Sequence, residues 1–204
     1  MQSIKSFPLA LVLAVSSLAA QATTVNLAAD GQWAAFGIDS LASLSGGTEW
    51  IDNLDTNASG YGSPLTFNFT IAAGQVGQFT VVDASMAGDA FDVYSNGSLL
   101  GATSVVPVQQ YGTAPDVGYD YDAALLNSAF SHGVFTLAAG TYSITGVQTQ
   151  SLMLDDGNGN LVSLNFGAGA VKLSVSAVPE PSSLALLLAA LGVTWLVSRR
   201  TAQR

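Results

Sequence analysis

Apolar and polar residues alternate along much of the middle of the chain, a pattern typical of strands that bury one face. In the segment LTFNFTI, Phe67, Phe69 and Ile71 fall on one face. The same period of two recurs in TYSITGV, where Tyr142 and Ile144 share a face, and in VKLSVS. Further short β-rich runs predict strands at 78–82, 91–94, 98–100, 104–108, 134–137, 151–154 and 161–166.

Glycine-containing turns separate these runs, including Asn96-Gly97 and Asp156-Gly157. Such pairs supply the positive φ that tight hairpins require. About ten short strands without long amphipathic helices predict an all-β fold, an antiparallel β-sandwich or jelly roll. The hexapeptide FTIAAG, beginning at Phe69, returns as FTLAAG at Phe135. We expect these two copies to form two hairpins at comparable edges of one sandwich.

One segment, DAALLNSAF, favours a short helical turn. Aspartate at the start of a helix accepts a hydrogen bond from a free backbone N–H, so Asp122 is the expected cap. The apolar residues Leu125, Leu126 and Phe130 are expected to pack inward.

The first 22 residues have the pattern of a secretory signal peptide. Lys5 supplies a positive charge, residues 8–20 form a short apolar run, and Ala20 and Ala22 flank a cleavage site of the small-x-small type. The sequence therefore predicts export and cleavage by signal peptidase, with the mature protein beginning near Thr23.

The C-terminal end carries a second apolar run. Residues 184–197 are uncharged and are followed by Arg199 and Arg200. A stable span needs about 20 apolar residues, so this run predicts a marginal transmembrane helix that the two arginines hold at the cytoplasmic side.

Just ahead of this run stands Val178-Pro179-Glu180-Pro181. The prolines disfavour helix and strand, so the tetrapeptide should stay extended and accessible. This motif, followed by a short apolar helix and an arginine cluster, resembles the PEP-CTERM sorting signal of Gram-negative bacteria. The resemblance implies recognition by a membrane protease, the exosortase, which would process the tail and deliver the protein to the cell surface or to the extracellular polysaccharide matrix of a biofilm. The expected domains are a signal peptide (1–22), an ectodomain (23–177) and a sorting tail (178–204).

The ectodomain is strongly acidic. It holds 13 acidic side chains against the single lysine Lys172, a net charge of −12. Nucleic acids and anionic membrane surfaces are excluded as partners because both require Lys and Arg. The chain has no cysteine, so no disulfide stabilises it.

The composition argues against an enzyme. The chain has no cysteine to act as a thiol nucleophile, and its single histidine, His132, is too few for a multi-histidine zinc site. It also contains no Gly-x-Ser-x-Gly elbow. A glycosidase pair of carboxylates is left open. The stretch 89–146 also resembles secreted bacterial β-sandwich modules, which implies a non-catalytic extracellular domain.

Calcium is the cofactor that the acidic loops favour, because Ca²⁺ binds oxygen donors. The segment PDVGYDYD offers Asp116, Asp120 and Asp122, and the segment DDGNGN offers Asp155 and Asp156. An exposed acidic loop and a hairpin turn, respectively, are the alternatives to metal binding. A third segment, GDAFD, contains Asp89 and Asp92, for which a strand end is the alternative.

Aromatic side chains beside these aspartates suggest a ligand surface. Tyr119 and Tyr121 could form a platform on which exopolysaccharide rings stack, although core packing is the alternative.

Overall fold

The computed structural model describes residues 22–52 and 60–178, and within these ranges the chain forms twelve strands and one short helix. The elements are β1 (Thr23–Asn26), β2 (Ala34–Asp39), β3 (Leu65–Ile71), β4 (Gln75–Met86), β5 (Ala90–Ser95), β6 (Ser98–Ala102), β7 (Asp116–Gly118), α1 (Tyr121–Leu126), β8 (His132–Leu137), β9 (Gly140–Gln150), β10 (Met153–Asp155), β11 (Leu161–Ser163) and β12 (Phe166–Ala177).

Two sheets carry most of these strands. The first has the strand order β1-β3-β9-β5-β6, in which β1 runs parallel to β3 and the other neighbours are antiparallel. The second has the order β2-β12-β4, and both β7 and β8 pair with β4 along different parts of its length. The fold is therefore all-β and antiparallel in the main, as the alternation predicts.

The core lies between the two sheets. Phe67, Phe69 and Ile71 of β3 are buried in it, as their shared face predicts. Val171 and Leu173 of β12 meet them from the second sheet. One side of each strand points toward this core, so the alternation of apolar and polar residues in the sequence follows the alternation of buried and exposed side chains.

The helix α1 covers the outer face of the second sheet. Ala124 packs there with Val82 of β4, Ala170 of β12 and Phe130. The expected helix is present, but Asp120 rather than Asp122 caps it, through Ala123 N–H to Asp120 Oδ1 at 2.9 Å. The prediction for Leu126 was also wrong, because its side chain is 89 % exposed.

Several strand predictions need correction. Residues 104–108 form no strand, and Pro107, which lacks an N–H, explains why this segment does not join a ladder. The run 161–166 breaks between β11 and β12, where Asn165 has a positive φ of 50°. The strands β1, β2 and β7 were missed; β1 and β7 are only four and three residues long.

The two hexapeptide copies do not form hairpins, contrary to expectation. FTIAAG joins β3 of the first sheet to β4 of the second, and FTLAAG joins β8 of the second to β9 of the first. Since β3 pairs with β9 and β4 pairs with β8, both copies cross between the sheets at neighbouring positions.

The predicted signal peptide (1–22) and sorting tail (178–204) fall almost wholly outside the described residues, which include only Ala22 and Val178 of them. Ala20, Pro179, Glu180, Pro181, Arg199 and Arg200 all lie outside. In the part of the chain that is described, no helix has the length and apolar character needed to cross a membrane.

Candidate functional site

The three aspartates of the segment PDVGYDYD are engaged separately. Asp116 Oδ1 accepts the N–H of Gly118 at 2.8 Å, and Asp120 caps α1. Asp122 Oδ1 accepts the indole N–H of Trp33 at 3.0 Å and lies 3.5 Å from Lys172 Nζ. The Trp33 hydrogen bond, followed by the charge of Lys172, lowers the pKa of Asp122. Each carboxylate thus has a local structural partner.

The DDGNGN segment forms a β-hairpin between β10 and β11, which was the alternative to a metal loop. Asp155 Oδ1 accepts the N–H of Gly157 at 2.8 Å, and Asp156 Oδ1 accepts that of Asn158 at 2.8 Å. The Asn160 side-chain amide donates to Asp156 Oδ2 and is the main cause of the lowered pKa of Asp156. All of these hydrogen bonds lie within the loop, so both carboxylates have partners in their own segment.

Across the described ranges, no three His, Cys, Asp or Glu side chains gather closely enough to hold a metal ion. Calcium binding at the two acidic segments is therefore still a prediction that rests on their composition.

The two tyrosines of the expected platform differ in exposure. Tyr119 is 65 % exposed, whereas Tyr121 packs against the cluster under α1. Their ring centroids are 6.4 Å apart at an interplanar angle of 62°, so the rings do not form one flat surface. Tyr121 also lies 5.7 Å from Trp33. Tyr119 is therefore the member of the pair that a ligand can reach.

The first sheet carries a polar groove that the sequence pattern did not predict. It has a volume of about 500 Å³ and crosses β1, β3 and β9, and its lining includes Asn26, Asn68, Thr70, Asn96, Thr141 and Ser143. The pairing of the strands aligns these side chains, since Asn26 is opposite Asn68 and Asn68 is opposite Ser143. Strand alternation marks Asn68 and Thr70 as outward-facing, but only the sheet order reveals that they share a surface with Asn26.

The donors and acceptors of this groove are partly used within the protein. Asn96 Oδ1 accepts the Ser143 N–H at 2.9 Å, and the hydroxyl groups of Thr70 and Thr141 are 3.3 Å apart. Asn68 Oδ1 is buried and has no hydrogen-bond partner among the residues described. A polar atom left without a partner at a groove is a natural contact for a hydroxyl donor.

The third aspartate segment, for which a strand end is the alternative to metal binding, has its two members in different surroundings. Asp92 is half-buried on β5, whereas Asp89 is only 1 % exposed, just before that strand. It lies beside a second buried carboxylate, Asp83 of β4, which no local signal in the sequence marks.

The chain was compared with protein families, curated proteins and solved structures. No curated protein matches the chain. Among solved structures, the pre-peptidase C-terminal domain of a collagenase from Bacillus anthracis covers 78 % of this chain and 99 % of its own, at 7 % identity and a TM-score of 0.36. Residues 177–200 match the family model described as the PEP-CTERM protein-sorting motif.

That match confirms the resemblance drawn from Val178 to Pro181 and the arginine pair. The motif implies an exported protein that crosses the membrane and is processed by an exosortase. The chain carries a PEP-CTERM protein-sorting motif at residues 177–200, which begins at the last residue of its last described strand.

Proposed function

We propose that this protein is a non-enzymatic exported protein that an exosortase delivers to the cell surface or to the extracellular polysaccharide matrix. The observation that carries the proposal is the sorting motif at residues 177–200. Strand β12 ends at Ala177, and the Val178 N–H still bonds to the Gly74 carbonyl at 2.8 Å. Pro179, the next residue, has no backbone N–H to donate to a ladder.

The experiment compares processing of the wild-type chain and a Glu180→Ala variant in cells with an active exosortase. We expect the wild type to lose its tail and reach the surface fraction, while the variant keeps an intact tail in the inner membrane. Mass spectrometry of the C terminus and cell fractionation give the readout. Ser183→Ala, three residues away, is the matched control and should be processed normally. A wild-type protein that keeps its tail would overturn the sorting proposal.

Carbohydrate binding within the matrix is the second candidate function. The groove across β1, β3 and β9 supports it, because its amide and hydroxyl groups can exchange hydrogen bonds with sugar hydroxyls. The residues that line it carry no charge. A neutral glycan could therefore bind directly, whereas an acidic polysaccharide would need bridging cations to overcome the charge of the domain.

Co-sedimentation of the full chain, in mild detergent, with the exopolysaccharide of the producing organism tests this candidate. We expect Asn68→Ala and Thr141→Ala to weaken binding several-fold, and Asn158→Ala, in the distant β10–β11 hairpin, to leave it unchanged. Repeating the measurement in EDTA separates direct binding from cation bridging through Asp116, Asp120, Asp122, Asp155 and Asp156. If the groove variants sediment like the wild type in both conditions, the groove is not the binding surface.

A further inference from the structure

Two carboxylates are buried together at one end of the space between the sheets. Asp83 of β4 is 0 % exposed and Asp89, which follows the end of that strand, is 1 % exposed. Lys172, the single lysine or arginine between residues 23 and 177, contacts Asp122 on the outer face of the second sheet instead. No basic side chain of the described domain neutralises the buried pair.

Each carboxylate is held by backbone N–H groups through one oxygen. Asp83 Oδ2 accepts from Gly88 at 3.1 Å and from Asp89 at 3.2 Å, and Asp89 Oδ1 accepts from Leu152 at 2.9 Å. The second oxygen of Asp83, Oδ1, is buried and has no partner in the described part of the protein. Carboxylates that bind metal ions are commonly held in this way, with one oxygen fixed by an outer hydrogen bond.

Gly167 of β12 makes room for the second oxygen of Asp89. A Cβ atom at this position would overlap Asp89 Oδ2, so any larger residue would displace the carboxylate. Gly167 and Leu152, which both contact Asp89, also line a cavity of about 20 Å³, whereas Asp83, Asp89 and Gln148 are not among its lining residues. A space of this size accommodates about one water molecule.

Gln148 is an independent sign of a ligand. Its side chain is 7 % exposed, and neither its Oε1 nor its Nε2 has a hydrogen-bond partner in the described ranges. Burial raises the pKa of Asp89, and the Gln148 amide, which approaches the Asp89 carboxylate without reaching hydrogen-bond geometry, offsets only part of that rise. On β9 Gln148 is opposite Phe91, two residues beyond Asp89. An amide buried without partners is costly unless something absent from the protein chain completes its hydrogen bonding or coordination.

We propose that Asp83, Asp89 and Gln148 form a buried site for one hard divalent cation, for which Ca²⁺ is the best fit. Two carboxylates and an amide oxygen are ligands that Ca²⁺ prefers, and water and backbone carbonyls can supply the remaining oxygens of its six to eight. This site is distinct from the exposed aspartate segments and independent of the sorting tail and the groove.

The test uses the full chain, purified in mild detergent and stripped with EDTA, with CaCl₂ as the probe at constant ionic strength. We expect saturable binding of one ion in calorimetry and a rise in melting temperature that follows the same titration. Asp83→Asn and Asp89→Asn keep the side-chain shape and should abolish both signals. The matched controls Asp116→Asn and Asp155→Asn should retain them.

Two outcomes would overturn the proposal. One is a wild-type protein that neither binds Ca²⁺ nor changes its melting temperature. The other is an unchanged response in both buried variants. If these variants fail to fold, Gln148→Leu, which removes one ligand without exposing a charge, and Gly167→Ala decide the matter, because each should weaken Ca²⁺ binding at least tenfold. Normal processing of the tail in these variants would show that sorting is a separate property.

Discussion

Trp50 shows how a single glycine can decide the role of an aromatic residue. Its ring is fully buried and stacks on Phe36, with ring centroids 4.1 Å apart. It lies directly over Gly146 of β9, where a Cβ atom would overlap the indole ring. Trp50 is thus part of the core, and the absence of a side chain at Gly146 makes its position possible.

We predict that Gly146→Ala destabilises the protein by about 1–3 kcal/mol, because the added methyl group forces the buried ring to move. Denaturant unfolding followed by tryptophan fluorescence measures the change. Gly140→Ala is the matched control in the same strand, since a Cβ atom there makes ordinary contacts at 3.5 Å with Tyr142. Equal stability of the two variants would contradict the prediction.

The buried carboxylates predict an unusual pH dependence for the metal-free protein. Burial raises the pKa of Asp89 from 3.8 to about 7, and burial together with the charge of Asp89 raises the pKa of Asp83. Between pH 4 and 7 the folded protein therefore holds a proton that the unfolded chain has released. The free energy of unfolding should fall as the pH rises through this range, by at most roughly 4 kcal/mol for Asp89.

Urea unfolding at pH 4.5 to 8 in EDTA measures whether the free energy of unfolding falls as the pH rises. The lowered pKa values of Asp122 and Asp156 give the opposite dependence, but only below about pH 4. Asp89→Asn should reduce the decrease of unfolding free energy with pH, because the titrating carboxylate is gone. Saturating Ca²⁺ should have the same effect in the wild type, because the cation replaces the proton. A wild-type stability that increases from pH 4.5 to 7 in EDTA would contradict the interpretation.

At the scale of elements, α1 depends on its cap and on its packing. It has six residues, too few for an isolated helix to be stable, and Ala124 anchors it to the second sheet. Asp120→Ala should cost about 0.5–2 kcal/mol because the N–H of Ala123 loses its acceptor. Asp120→Asn should retain most of the stability, since asparagine caps equally well. Thermal unfolding compares the two variants, and equal losses would argue against capping.

The repeated hexapeptide is informative at the same scale. Its sequence correctly predicts a strand, a turn and a second strand in both copies, because these signals are local. It could not predict which strands become neighbours. The partners of β3 and β8 lie far along the chain. The two crossings between sheets bring both Phe69 and Phe135 near Phe79, at centroid distances of 5.6 and 6.5 Å.

At the scale of the whole molecule, charge is the dominant feature. A net charge of −12 between residues 23 and 177 should destabilise the compact state through self-repulsion. We predict that NaCl raises the melting temperature by a few degrees up to about 0.5 M, where screening is nearly complete. Calcium should add a further increase at that salt concentration in the wild type but not in Asp83→Asn. If NaCl alone reproduces the calcium effect, the ion acts only by screening.

The sequence alone determined the features that are encoded by neighbouring residues. Alternation predicts most strands, Asn96-Gly97 predicts the β5–β6 turn, where both residues have positive φ, and Val178 to Pro181 predict the sorting motif. These signals need no distant partner.

Only the tertiary structure decided the pairing of the sheets, the polar groove and the burial of Asp83 and Asp89. The groove depends on three strands that are distant in sequence. Asp89 is held by Leu152, 63 residues away, and is covered by Gly167. Aspartate is usually exposed, so no local pattern could mark this pair. Their surroundings exist only once the two sheets have packed.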